Sequence, residues 1–448
     1  MDQEQVIIDT PCGKLQGIEE DRVYKFLGIR YATAGRWEYP LEVTKWEGIY
    51  EAVRFGAAPI QKRAYMEEGG KEKSEHYERE FMNGVKAEYA EDCLFLNVWA
   101  PKDAEDCPVL IVLYGGGLLS GQTDELALDG ANLARRGVVV VTLNYRVNIF
   151  GFLAMRELEN GSGKSGNYGY YDQQMAIQWV KHNIHAFGGD ASRMTLIGQS
   201  AGAASAETQI KSPLNEGVFQ GAIIQSSAGF STMIKARDDR EKVYAMWHEV
   251  YTQSGCLTLE EFKNMPAKDL LGLFERVSAK NPIAYATAIY DDNFTGEAKN
   301  KPCRTNIICS VTSEDVAPLV LYVFCLALAK SQQGAADTYG YFFSRQLPGD
   351  HLGAWHSSDL WYTYGNLEKC WRPFGKEDRE LSDRMMTYFV NFIKTGNPNA
   401  EGLEEWKPLT KKEKRFMMFD VGMCRMGKPS VARLLKNTIH SKGPKAVG

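Results

Sequence analysis

Met194-Thr195-Leu196-Ile197-Gly198-Gln199-Ser200-Ala201-Gly202 is the stretch that decides the fold. A strand-like run ends in a glycine, a serine sits two positions on, and a second glycine follows two beyond that. Residues 201–211 then have helical composition. A strand that turns sharply into a helix crowds its own backbone, and glycines on both sides of the serine relieve the crowding. Such a turn lifts the Ser200 oxygen clear of the sheet. It also sets that oxygen at a helix N-terminus, where positive potential favours developing negative charge. Ser200 is therefore the candidate nucleophile.

Reading outward, apolar runs at 108–113, 138–143, 194–198 and 222–225 alternate with helix-like segments at 125–136, 172–186 and 201–211. Strands that are apolar throughout and alternate with helices predict an α/β fold with a mostly parallel sheet, covered on both faces. Chemistry in such a sheet sits beyond the carboxyl ends of the strands. Directly after Leu113 comes Tyr114-Gly115-Gly116-Gly117. Consecutive glycines let backbone N–H groups approach a substrate oxygen, as acyl transfer requires. At the start of the chain, 14–18 and 23–27 predict antiparallel strands at a sheet edge. Residues 339–344 predict a late strand, and 381–394 a helix stopped by Gly396 and Pro398. Residues from about 235 to 300 read as a helical insertion in a single domain spanning 1–448.

The 448 residues are 44% hydrophobic and 24% charged, which suits a globular chain with a large core. A net charge of -5 argues against nucleic acid or an anionic membrane as partner. The polar start, Met1 to Val6, lacks a secretory pattern. The apolar run at 316–329 is shorter than the roughly 18 residues of a membrane span and predicts a buried helix. Residues 62–89, rich in Glu and Lys, predict a solvated surface segment, and the tail after Lys436 a frayed end. Nine cysteines, none in a C-x-x-C pair, predict neither a structural metal site nor a disulfide framework. Free thiols in a reducing cytoplasm are the expected state.

A hydroxyl nucleophile needs a base, and the base needs an orienting acid. After Ser200 the histidines are His248, His351, His356 and His440. His248 falls in a helix-like stretch and His440 in the tail; His351 and His356 flank a loop after the late strand, and His356 is preferred. The acid is expected just beyond the strand-like run 306–309, where Glu314 is preferred and Asp315 competes.

The chain resembles the type-B carboxylesterases, a family that includes cholinesterases and bacterial nitrobenzyl esterases. The resemblance rests on the runs 26–32, 91–99, 114–117, 144–146, 151–153, 166–169, 172–173, 186–190, 198–202, 225–226, 353–359 and 395–399, in that order. It implies the α/β-hydrolase fold with helical insertions around the site, and a triad of Ser200, Glu314 and His356. It also implies an oxyanion hole of the Gly116, Gly117 and Ala201 N–H groups, and two buried ion pairs, Arg36–Glu91 and Arg146–Asp172. The expected reaction is ester hydrolysis through an acyl-enzyme, with no metal and no cofactor, on a small-molecule ester. Amide or thioester hydrolysis on the same scaffold, or a silent binding role, are the rival readings. Leu118, Leu119, Gln199, Phe230 and Trp361 are candidate pocket residues.

Several departures from the family pattern carry weight. Residues 55–61 hold no cysteine to pair with Cys93, in keeping with a cytoplasmic protein. Gln199 stands where many relatives have Glu. Residues 62–91 lack the tryptophan that binds choline by cation–π contact, so a choline ester is an unexpected substrate. About forty residues separate Glu314 from His356, fewer than is usual in the family. That predicts a more open site and a broader or bulkier substrate.

Overall fold

Side chains from Pro108 to Leu113 and from Val139 to Leu143 are all buried. Successive strand residues point to opposite faces, so both faces of this sheet are covered. The computed structural model describes residues 4–65, 75–161, 163–227, 239–285, 288–289, 291–294 and 304–440. Its thirteen-stranded sheet comprises β1 (Glu4–Thr10), β2 (Gly13–Glu20), β3 (Val23–Arg30), β4 (Ile49–Glu51), β5 (Phe95–Pro101), β6 (Cys107–Leu113) and β7 (Val139–Leu143). Then come β8 (Gly189–Gln199), β9 (Phe219–Gln225), β10 (Asn306–Thr312), β11 (Thr338–Phe343), β12 (Phe416–Asp420) and β13 (Met423–Gly427). The spatial order is β1-β2-β3-β5-β7-β6-β8-β9-β10-β11-β12-β13, with β4 beside β2.

Strands β6 to β12 run parallel, and antiparallel β1, β2, β3 and β5 extend one edge, as the early turn signals predict. Register sets the level of the site. Leu113 pairs with Gly198, Gly198 with Ile224, and Ile224 with Cys309. The turns after β6, β8, β9 and β10 therefore emerge side by side at the carboxyl end.

Helices α1 (Glu75–Phe81), α2 (Tyr168–Asn183), α3 (Ala201–Lys211), α4 (Arg240–Ser254), α5 (Leu259–Lys263), α6 (Ala267–Ser278), α7 (Pro318–Ser331), α8 (Leu360–Tyr364), α9 (Lys376–Thr395) and α10 (Val431–His440) surround the sheet. Helix α3 packs on β8 and β9, α9 on β6, β8 and β12, and α7 on β10. Helices α4 and α6 fall inside the expected insertion. They build a second apolar core from Val243, Trp247, Leu270 and Phe274, joined by Trp37 and Ile149. Leu119 packs against both this core and the sheet core.

Four local expectations need correction. Residues 125–136 form only the short turns Leu126–Leu128 and Ala131–Ala134, because the Asp129 carboxylate caps the Ala131 N–H between them. Helix α7 is not fully buried: Val320 and Val323 are exposed on its outer side. Helix α1 is more than solvated surface. It buries Tyr77, Phe81 and Glu80, and the Glu80 carboxylate is held by Arg372 and the Trp371 indole N–H. Residues 437–440 stay helical at the end of α10, which Arg433 and Asn437 tie to Glu314 and the Ser313 carbonyl; the rest of the tail, 441–448, lies outside the described residues.

Both expected ion pairs form. Arg146 grips Asp172 through Nε and Nη2 at 2.8 and 2.7 Å, and both side chains are buried. Arg36 pairs with Glu91 and also donates to the Lys263 and Met265 carbonyls of the insertion, in a more exposed setting. Removing one partner of a buried pair leaves a buried charge uncompensated. Arg146→Met is therefore expected to cost about 3–5 kcal/mol in denaturant unfolding. A loss under about 1 kcal/mol would show the pair to be dispensable.

Candidate active site

Ser200 joins β8 to α3 with φ 56° and ψ -123°, backbone that a non-glycine residue adopts only under strain, at about 1–3 kcal/mol. The flanking glycines are sterically required. A Cβ on Gly198 would lie 2.1 Å from the Gly202 carbonyl oxygen, and one on Gly202 would lie 2.1 Å from that of Leu113. The same crowding brings the loop after β6 against the serine: a Cβ on Gly115 would meet Ser200 Cβ at 3.3 Å. Leu118, Ser226 and Ser357 also have positive φ, so strain gathers around this end of the sheet.

Gly116 and Gly117 have φ of 108° and 67°. Their loop is clamped from below by Gln61, whose amide donates to the Gly121 carbonyl and accepts from its N–H, both at 3.1 Å. Arg63 orients that amide with a 2.9 Å bond to its oxygen. Among the described residues no acceptor meets the N–H groups of Gly116, Gly117 or Ala201. Three donors on two elements are thus available to an oxygen beside Ser200.

His356 lies in the loop after β11. Its Nδ1 is 2.6 Å from Asp315 Oδ1. The carboxylate that meets the imidazole belongs to Asp315, the competing candidate, and not to the preferred Glu314. The Asp315 side chain is fully buried and heavily supported. Its Oδ2 accepts from the Ser226 hydroxyl (2.7 Å), the Thr312 hydroxyl (2.9 Å) and the Thr312 N–H (3.2 Å); Oδ1 also accepts from Val316 N–H (2.8 Å). Burial alone would raise this carboxyl, but the His356 charge and these bonds outweigh it and hold it below the usual aspartate value. Burial likewise works to lower the imidazole, and Asp315 overcomes it, leaving His356 raised above 6.5.

Glu314 does different work. Its Oε2 accepts from the Ala354 N–H at 2.9 Å and from the Ser313 hydroxyl, and Oε1 accepts from Arg433 at 2.6 Å. Its own N–H donates to the Ala354 carbonyl at 3.1 Å. Glu314 therefore staples the backbone of the loop that carries the imidazole. His351, the alternative base, is exposed on the same loop, and His248 pairs with Glu157 at the surface.

Beyond the imidazole, the buried Asp359 accepts from the Tyr341 hydroxyl at 2.7 Å, and burial pushes its carboxyl up to about 6. Gln225 reaches Tyr341 and Thr363 in the same polar layer. Gln61, Ser226 and Asp359 carry no site role in the sequence reading, although Ser226 and Asp359 fall in the runs 225–226 and 353–359 that carry the family resemblance. The Ser200 hydroxyl makes no hydrogen bond to the ring among the described residues; Nε2 lies instead 3.2 Å from Gln199 Nε2. Catalytic bonds that tighten only with substrate present are common.

Of the candidate pocket residues, Leu118 and Trp361 expose no surface and belong to the core, Trp361 stacking on Phe81. Leu119 is partly buried beside Gly117. Phe230 lies outside the described residues.

The family model for the carboxylesterase family matches residues 4–324 and 319–437. The chain belongs to the carboxylesterase family. A bile salt-activated lipase of Rattus norvegicus is 26% identical over 505 residues, covering 90% of this carboxylesterase and 79% of that protein. A para-nitrobenzyl esterase of Bacillus subtilis is 26% identical over 482 residues, covering 92% and 94%. A solved PNB esterase structure matches with a TM-score of 0.81 at 23% identity, covering 96% and 99% of the two chains, and shares the α/β-hydrolase fold. The chain is a carboxylic ester hydrolase. No described helix of this carboxylesterase is long and apolar enough to cross a membrane.

Proposed function

We propose that this carboxylesterase cleaves small-molecule esters with Ser200 as nucleophile, His356 as base and acid, and Asp315 as the carboxylate that orients the imidazole. The observation that carries this assignment is the 2.6 Å contact from His356 Nδ1 to the buried Asp315, beside the strained Ser200 turn. His356 Nε2 takes the Ser200 proton as Oγ bonds to the ester carbonyl carbon. The carbonyl electron pair moves onto oxygen, facing the Gly116, Gly117 and Ala201 N–H groups. Each such donor is worth about 10²–10³ in rate. Collapse expels the alcohol, protonated by His356, and water then releases the acid by the same steps.

The imidazole must be neutral to act as base, so protonation stops the reaction. Because Asp315 raises His356 above 6.5, kcat/KM for a neutral ester is expected to fall as pH drops through a value above 6.5. A rate unchanged down to about pH 4 would rule out a histidine base. Matched ester, thioester and amide substrates test the reaction class, with the ester expected to be fastest. Leu119 packs beside Gly117 and against both cores, which supports it as an apolar residue that meets the substrate. The short connection from Asp315 to His356 favours an open site that admits bulky esters. The eight described cysteines are unpaired, which supports a reducing, cytoplasmic setting.

A further inference from the structure

The imidazole is held at both nitrogens. Nδ1 faces Asp315 at 2.6 Å, and Nε2 faces Gln199 Nε2 at 3.2 Å. A carboxylate only accepts hydrogen bonds, so the ring places its Nδ1–H there and keeps a lone pair on Nε2. The Gln199 amide N–H then donates into that lone pair. It is the same lone pair that must receive the Ser200 proton. Gln199 sits almost fully buried and immediately before the nucleophile, so its reach is set by the β8–α3 turn.

We propose that Gln199 is a positioning residue that latches the resting base: its amide holds the neutral imidazole in plane and in the Nδ1–H tautomer, and must leave Nε2 before Ser200 can deprotonate. This rests on the assignment of Ser200 and His356 given above. In the acylation step the Oγ–H bond breaks, the proton joins Nε2, and Oγ bonds to carbon. Throughout, the amide exchanges a hydrogen bond and no proton.

The latch has a signature in pH. Donation to the lone pair stabilises the neutral ring against the imidazolium. The other groups facing the ring act the opposite way: Asp315 from the turn after β10, and Asp359 from the turn into α8. Glu314 is paired with Arg433 on α10, and His76 of α1 faces Trp355 rather than the imidazole.

The test uses the full chain as wild type, Gln199→Met and Gln199→Glu, with kcat/KM on a neutral ester followed from pH 5 to 9. Met removes the donor at similar volume, so the acid limb moves to higher pH. Glu supplies an acceptor for the imidazolium Nε2–H, so the limb moves further, by about one pH unit or more relative to wild type. Thermal unfolding of each variant confirms that it is folded. Limbs that coincide with wild type in the folded variants, or that move to lower pH, overturn the latch. Ser200→Ala separates the two claims: full activity there removes the triad assignment itself, whereas lost activity with unmoved limbs at position 199 removes only the latch.

Discussion

Ser200→Ala is expected to retain only about one part in 10⁶ of kcat, with the fold unchanged. Among the described residues the Ser200 side chain makes no hydrogen bond, and alanine inherits the same strained φ, so unfolding by heat should be unaltered. On the proposed mechanism, what is lost is the hydroxyl that forms the acyl-enzyme. The residual rate, above that of water, comes from the Gly116, Gly117 and Ala201 donors acting on a bound ester. Covalent labelling by an organophosphate and the burst of released alcohol should both vanish. A variant that still turns over at a tenth of the wild-type rate would mean that another residue attacks the carbonyl.

Asp315→Asn is expected to lower kcat by about 10⁴, while Glu314→Gln leaves it within a few-fold. An asparagine amide keeps the shape but presents a donor where the ring needs an acceptor. The ring then turns to its other tautomer, and Nε2 loses the lone pair that Ser200 requires. The loss should be largest near neutral pH and smaller in strong alkali, where hydroxide can take the serine proton. Glu314→Gln removes a partly exposed ion pair with Arg433, of a kind worth about 0–1 kcal/mol, and retains an oxygen for the Ala354 N–H. Steady-state kinetics on the two variants decides between the carboxylates. Equal losses, or a larger loss at 314, would return the orienting role to Glu314.

The turn at Ser200 was legible because its requirement is local: Gly198 and Gly202 lie where any side chain would strike backbone, and sequence spacing alone reports that. The parallel strands were legible because side chains buried on both faces leave continuous apolar runs. Choosing between Glu314 and Asp315 was not a local question. It depends on how the turn after β10 meets Ala354 and on a hydroxyl from Ser226, 89 residues earlier in the chain. Helix α1 was misread for a related reason. Its charged composition suggested solvent, yet Glu80 finds its partner in Arg372, 292 residues away. Residues 125–136 carried enough apolar side chains to look helical, and the Asp129 cap that divides them is visible only once the turn is formed.

The two apolar cores make the scaffold divisible. Strand register, which holds Ser200 and Asp315 at one level, depends on the sheet core; the insertion packs around Trp247 and Phe274 and meets the glycine loop through Leu119. Changes in volume around Trp247 can therefore remodel the neighbourhood of the reacting carbonyl while the bond-breaking apparatus stays in register. Selectivity and chemistry in this chain are free to diversify on separate clocks.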